Sequence, residues 1–170
     1  MRRPSNSSSA DAKTVEAAAV RLLARREHSI EELRRKLLSK GYPPDTIEPV
    51  VQKLAGKRLV SDERFTSSFV HHHAKRGQGP VRIRAELRQQ GIADPQVEEA
   101  LRSADIDWVQ LAREVRRRKF GATAPRSLGE RAKQARFLQY RGFDAEQLHA
   151  AFREESGEAE GAPDITPDII

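Results

Sequence analysis

Apolar residues recur along this chain at the three- and four-residue spacing of amphipathic helices, with no stretch of strict alternation. From Lys13 to Arg26 the spaced positions are Val15, Ala18, Ala19, Leu22 and Leu23. Ser29-Ile-Glu-Glu32 then reads as a capping box, in which the serine hydroxyl and a glutamate carboxylate satisfy reciprocal backbone donors. The helix it opens carries Ile30, Leu33 and Leu37 inward and stops at Gly41, because glycine accepts the left-handed conformation of a helix end. Asp45 is the expected cap of a third helix with Ile47, Val50, Val51 and Leu54, and Pro49 falls early in it.

The same order then restarts. Ser61 or Asp62 opens a helix with Phe65, Phe69 and Val70 inward, and Lys75-Arg-Gly-Gln-Gly-Pro80 breaks it. Pro80 begins a helix burying Ile83 and Leu87 that ends at Gly91. Asp94 is the expected cap of the next, with Pro95 at its first position and Val97 and Leu101 inside. A third round runs from Asp107, with Trp108, Leu111 and Val115, to Phe120-Gly121. A helix starting near Ser127 ends at Gly142, and Asp144-Ala-Glu-Gln147 opens the last, with Leu148 and Phe152.

Aligning Gly41, Gly91 and Gly142 exposes a repeat of 50 and then 51 residues. Four residues before each glycine stand Leu37, Leu87 and Leu138, and one after stand Tyr42, Ile92 and Phe143. Six after come Ile47, Val97 and Leu148, and ten after come Val51, Leu101 and Phe152. The predicted fold is therefore all-α: an elongated, curved array of three tandem three-helix repeats, about nine helices. The expected boundaries are a disordered polar leader over 1–12, repeats over 13–58, 59–105 and 106–153, and an acidic disordered tail over 154–170.

Charge sharpens this picture. The net charge is +6, but the last seventeen residues hold six acids and no base. Setting those aside, with Arg2, Arg3 and Asp11, leaves 29 basic against 18 acidic residues, about +11 on the body. Such a bias suits a polyanion or an acidic partner surface. The chain has no cysteine, which excludes disulfides and thiolate chemistry and suits a reducing cytoplasm. No run of eighteen apolar residues exists to span a membrane, and Met1 to Ser9 lacks the apolar stretch of a signal peptide.

Candidate catalytic and metal chemistry is sparse. Gly77-Gln-Gly79-Pro80 is not followed by the Gly-Lys-Ser/Thr of a phosphate loop, and Pro80 removes a donor where one is wanted. His71, His72 and His73 are consecutive on a helix, so their side chains diverge by about 100° per residue and do not converge on one ion. The sequence reads as a binding protein, with no enzyme activity and no cofactor or metal.

The basic residues form the candidate contact surface. Lys75 and Arg76 lie in the break before the fifth helix, which carries Arg82, Arg84 and Arg88, the last two sharing a face. Arg116, Arg117, Arg118 and Lys119 crowd the seventh helix. Together they read as a track for phosphates or acidic side chains. A helix, a glycine turn and a second helix occur three times, the outline of a direct DNA-binding module. Against that, the segment from Asp94 to Ala104 offers only Arg102 against three acids, where a groove reader needs polar or basic residues.

Leu59-Val-Ser-Asp-Glu-Arg-Phe65, Phe69-Val70, and Lys75 through Ile92 with Gly79-Pro80, Arg82-Ile83 and Glu86-Leu87-Arg88 resemble the signature of the RecX family, as does Ser29 to Tyr42. The resemblance covers roughly residues 15–153 and is loosest in the third repeat. It implies a regulator that binds the RecA–DNA filament, lies in its groove, and inhibits ATP hydrolysis, strand exchange and coprotease activity. DNA contact is expected directly or through the filament. No sustained heptad seam argues for a coiled-coil dimer, so a monomer is expected.

Overall fold

The computed structural model describes residues 11–153, so the expected leader (but for Asp11 and Ala12) and the acidic tail lie outside the described residues. Among the described residues there are nine α-helices and no strand: α1 (Ala12–Leu23), α2 (Ile30–Ser39), α3 (Pro44–Gly56), α4 (Asp62–Lys75), α5 (Pro80–Gln89), α6 (Asp94–Ser103), α7 (Trp108–Phe120), α8 (Leu128–Arg141) and α9 (Ala145–Arg153). They fall into two compact units, one within Met1–Lys75 and Ile83–Asp105, the other within Arg76–Arg82 and Ile106–Ile170.

In the first unit α1, α2 and α3 pack on one another around Val15, Ala19, Leu33, Leu37, Ile47, Val50, Val51, Leu54 and Val60. Helices α4 and α6 pack together, and Phe65, Val70, Ile83, Leu87, Ile92, Val97 and Leu101 are buried. In the second unit α7, α8 and α9 enclose Ala112, Val115, Leu138, Phe143, Leu148, Ala151 and Phe152. The repeat anchors are thus core residues, with Tyr42 only half-buried. Each fully buried leucine contributes roughly 1.5–3 kcal/mol.

Each of the three glycines takes a positive φ, +85° at Gly41, +79° at Gly91 and +91° at Gly142. The residue after each donates its N–H back to the leucine carbonyl of the preceding helix: Tyr42 to Leu37 at 3.4 Å, Ile92 to Leu87 at 3.2 Å and Phe143 to Leu138 at 3.1 Å. That bond spans the glycine and gives all three turns the same shape.

Several helix starts differ from expectation. Helix α3 begins two residues early and α6 one, capped by Pro43 and Ala93 with no side-chain hydrogen bond. Pro44 and Pro95 preset the helical φ in those first turns, which leaves Asp45 and Asp94 inside them as negative charges on the helix dipole. The Ser29 box is half made: Ser29 Oγ accepts from Glu32 N–H at 2.9 Å, but the Glu32 carboxylate is held by Arg26. Asp144 and Gln147 form the complete reciprocal box, at 2.8 and 3.1 Å. Ser61 caps α4, while Asp62 Oδ1 accepts from Ile30 N–H at the start of α2.

A candidate cationic partner-binding surface

Helix α7 is set by Asp107, whose carboxylate accepts from Gln110 N–H at 2.8 Å. Its inner face carries Ala112 and Val115, and the next position on that face, four residues after Ala112, is Arg116. Arg116 was expected on the surface track and is instead fully buried, 0% exposed. Its Nη1 donates to Gln134 Oε1 at 2.9 Å, and its guanidinium lies 5.9 Å from the centre of the Phe152 ring. Helical spacing explains the correction: a residue adjacent to Val115 on the apolar side turns inward whatever its charge. Arg116 ties α7 to α8 and α9. Trp108, whose spacing with Leu111 and Val115 predicts a core position, is half-buried.

Arg117, Arg118 and Lys119 occupy the last turn of α7, are exposed, and make no salt bridge or side-chain hydrogen bond among the described residues. The helix C-terminus stabilises their positive charge. Arg118 and Lys119 border a recess of about 140 Å³ whose other walls are Arg76, Gly77, Val115, Phe137 and Arg141. Arg141 donates to the Arg76 carbonyl at 3.1 Å and lies 5.3 Å from the Phe137 ring centre. Gly77 lets the 76–79 loop reach α7, since a Cβ there, at φ +75°, would meet Val115 Cγ2 at 2.8 Å. Arg76 is exposed, and Arg82 is half-buried, with its guanidinium 6.0 Å from the Tyr140 ring centre. No local spacing marks Arg141 and Phe137, because α8 meets residue 76 only through the fold.

Within the first unit, Lys75 ends α4 and is exposed. Arg84 and Arg88 do share one face of α5, as spacing predicts, but acids on α6 neutralise them. Arg84 Nη2 reaches Glu98 Oε2 at 3.0 Å and Arg88 Nε reaches Asp94 Oδ1 at 2.6 Å. The hydrogen bond from Arg84 holds the Glu98 carboxyl below its ordinary range. Fifty residues earlier Arg34 holds Glu48 in the same way, at 2.8 Å. This pair occurs in the first two repeats and joins the second and third helices of each. Arg84 is thereby a structural tie as well as a surface charge.

The histidines disperse as expected: His71 Nδ1 sits 2.8 Å from the Ser67 carbonyl, and His73 stacks on Phe69 at 3.8 Å. Among the described residues no group of three His, Cys, Asp or Glu side chains is placed to hold a metal ion, and no helix is long and apolar enough to cross a membrane.

What this arrangement offers is exposed, uncompensated positive charge on a rigid helix end, with a glycine loop and an aromatic wall beside it. Such a surface receives phosphates or carboxylates. Three family models match the chain in succession: the first three-helix domain of RecX over residues 17–54, the second over 61–101 and the third over 105–152. The chain is 49% identical over 142 residues to the regulatory protein RecX of Halorhodospira halophila, covering 84% of this chain and 88% of that one. It is 44% identical to the regulatory protein RecX of Pseudomonas savastanoi pv. phaseolicola, covering 79% and 86%. The crystal structure of RecX from Lactobacillus salivarius shares the fold with a TM-score of 0.73 at 22% identity, over 86% of this chain and 97% of that one. Repeated three-helix architecture, anchor spacing and sequence identity agree, and this chain belongs to the RecX family.

Proposed function

We propose that this protein binds the RecA–DNA filament in the cytoplasm and inhibits RecA's ATPase, recombinase and coprotease activities, with its basic surface laid in the filament groove. It acts by occupying that surface and catalyses no reaction itself. The observation that carries the reading is the end of α7: Arg117, Arg118 and Lys119 are exposed and uncompensated among the described residues, with Arg76 and Arg141 about the same recess. Lys75, Arg76, Arg82, Arg84 and Arg88 supply further contacts, the last two after exchanging their α6 carboxylates for partner groups. Buried Arg116 supports this surface from beneath. Membership of a family whose relatives bear the name regulatory protein RecX supports the assignment of a regulatory role.

Titrating the protein into single-stranded-DNA-dependent ATP hydrolysis by RecA tests the proposal. Inhibition at substoichiometric ratios that extra DNA does not relieve is the expected result. An effect abolished by extra DNA identifies a direct, sequence-nonspecific DNA-binding module instead, and no effect removes the proposal.

A further inference from the structure

Two joints in the molecule use the same parts. In the first unit the Gln90-Gly91 turn sits on the start of α2. There Ser29 Oγ donates to the Gln90 carbonyl at 2.7 Å, and a Cβ on Gly91 would lie 2.6 Å from Glu31 Cβ. In the second unit the Arg141-Gly142 turn sits on the start of α5. Gly79 N–H donates to the Arg141 carbonyl at 2.8 Å, Val81 N–H to Gly142 at 3.0 Å, and a Cβ on Gly142 would lie 2.6 Å from Arg82 N. Gln90 and Arg141 correspond under the glycine alignment, and Ser29 and Gly79 each precede the first residue of a second helix. A left-handed glycine turn thus docks onto a second-helix start, with the carbonyl before the glycine as acceptor.

Among the described residues, one of each part remains unused. The Lys40-Gly41 turn has the same φ and the same closing bond, yet a Cβ on Gly41 would meet nothing within 4 Å. The Lys40 carbonyl accepts no hydrogen bond among the described residues. At the other side, the start of α8 carries the same serine cap as α2: Ser127 Oγ accepts from Glu130 N–H at 3.1 Å, as Ser29 accepts from Glu32, with φ −138° at Ser127 against −70° at Ser29. The Ser127 hydroxyl proton has no acceptor among the described residues, whereas that of Ser29 goes to Gln90. Residues 126–130 are all exposed, whereas Ser29, Gly79 and Pro80 are buried. Leu128 is 87% exposed, at the first helical position that Ile30 and Pro80 fill.

We propose that the Lys40-Gly41 turn of one molecule docks onto the start of α8 of a second copy, so that copies associate head to tail by the joint each molecule already uses twice internally. Ser127 Oγ–H then donates to the Lys40 carbonyl of the neighbour, the bare Gly41 allows the close approach, and Leu128 is covered. Such a contact is heterologous: it joins different patches and repeats from copy to copy, as a ring or as an open chain. Inside one molecule the joint benefits from covalent linkage. Between molecules it lacks that advantage and forms at high protein concentration or where copies are lined up on one track. This contact between copies stands apart from what the basic surface binds.

The absence of cysteine makes the test direct. Full-length Lys40→Cys protein is mixed at high concentration with full-length Arg126→Cys protein and oxidised briefly. The expected result is the mixed disulfide dimer in excess over the statistical mixture of the three possible dimers. Adding Gly41→Asn to the first partner, a residue that tolerates positive φ but carries a side chain, should return the mixture to statistical. Leu128→Glu in the second should do the same, at an exposed position that leaves folding intact. A statistical mixture from the start, or an excess that survives either change, overturns the proposal.

Discussion

Gly142 packs its bare Cα against the first turn of α5 so closely that a methyl group there would lie 2.6 Å from the backbone nitrogen of Arg82. Gly41, with nearly the same φ, faces open space. Alanine at Gly41 meets only the conformational penalty of a left-handed residue, about 1 kcal/mol. Alanine at Gly142 adds a collision with backbone that cannot swing away, and about 2–4 kcal/mol is expected. Urea unfolding of the two variants, compared by midpoint, checks the ordering.

The burial of Arg116 separates it from its neighbours. Arg116→Ala is expected to destabilise the protein by about 3 kcal/mol, since it leaves the Gln134 amide without its donor and a cavity under Phe152. Arg117→Ala should stay within about 0.5 kcal/mol of the parent. Thermal melts of both variants would reverse this picture if Arg117 were the costlier change.

On the partner side the order of effects is the opposite of what helix spacing alone suggests. Arg118→Ala with Lys119→Ala removes two uncompensated exposed charges. It should raise the concentration for half-maximal inhibition of RecA by roughly tenfold, taking about 0.7 kcal/mol for each contact. Arg84→Ala with Arg88→Ala should weaken inhibition too, with helicity unchanged, but by only about threefold, because Glu98 and Asp94 already hold those guanidiniums. The ATPase titration, with circular dichroism of each variant, decides between the two clusters.

His28 links stability to pH. Its ring is 2% exposed, Nδ1 lies 2.9 Å from the Arg26 carbonyl, and Nε2 is buried without a hydrogen-bond partner among the described residues. Desolvation pushes its pKa below the ordinary 6.5, against the opposing pull of the Arg26 carbonyl and Glu32. The unfolded chain therefore takes up this proton first as pH falls through about 6.5, and stability declines from there down to the lowered folded pKa. The carboxyls of Glu48 and Glu98, lowered by hydrogen bonds from Arg34 and Arg84, act further down: their contribution is present above about 4.5 and fades below it. Chemical denaturation between pH 7 and 5 should show a downward slope in the parent that His28→Phe flattens.

Much of this molecule is written in short-range pattern. Gly41, Gly91 and Gly142 end helices because the chain must turn left-handed there. The leucine four residues before each and the apolar pair after it are buried because helical spacing puts them on one face. Those are constraints among residues a few positions apart, and a single sequence displays them. Spacing from Ala112 also carried the signal that Arg116 turns inward, though its charge argued for the surface. Other features exist only once the helices have packed. Arg84 meets Glu98 across two helices, and Arg141 reaches the carbonyl of Arg76, 65 residues away. Which cations stay free is decided by those meetings, because a guanidinium is neutralised by whatever carboxylate the fold brings within about 4 Å. The sequence alone determined the all-helical repeat and its basic character. Tertiary packing decided which of the positive charges face solvent uncompensated among the described residues, and which glycine turn and helix start no other described residue covers.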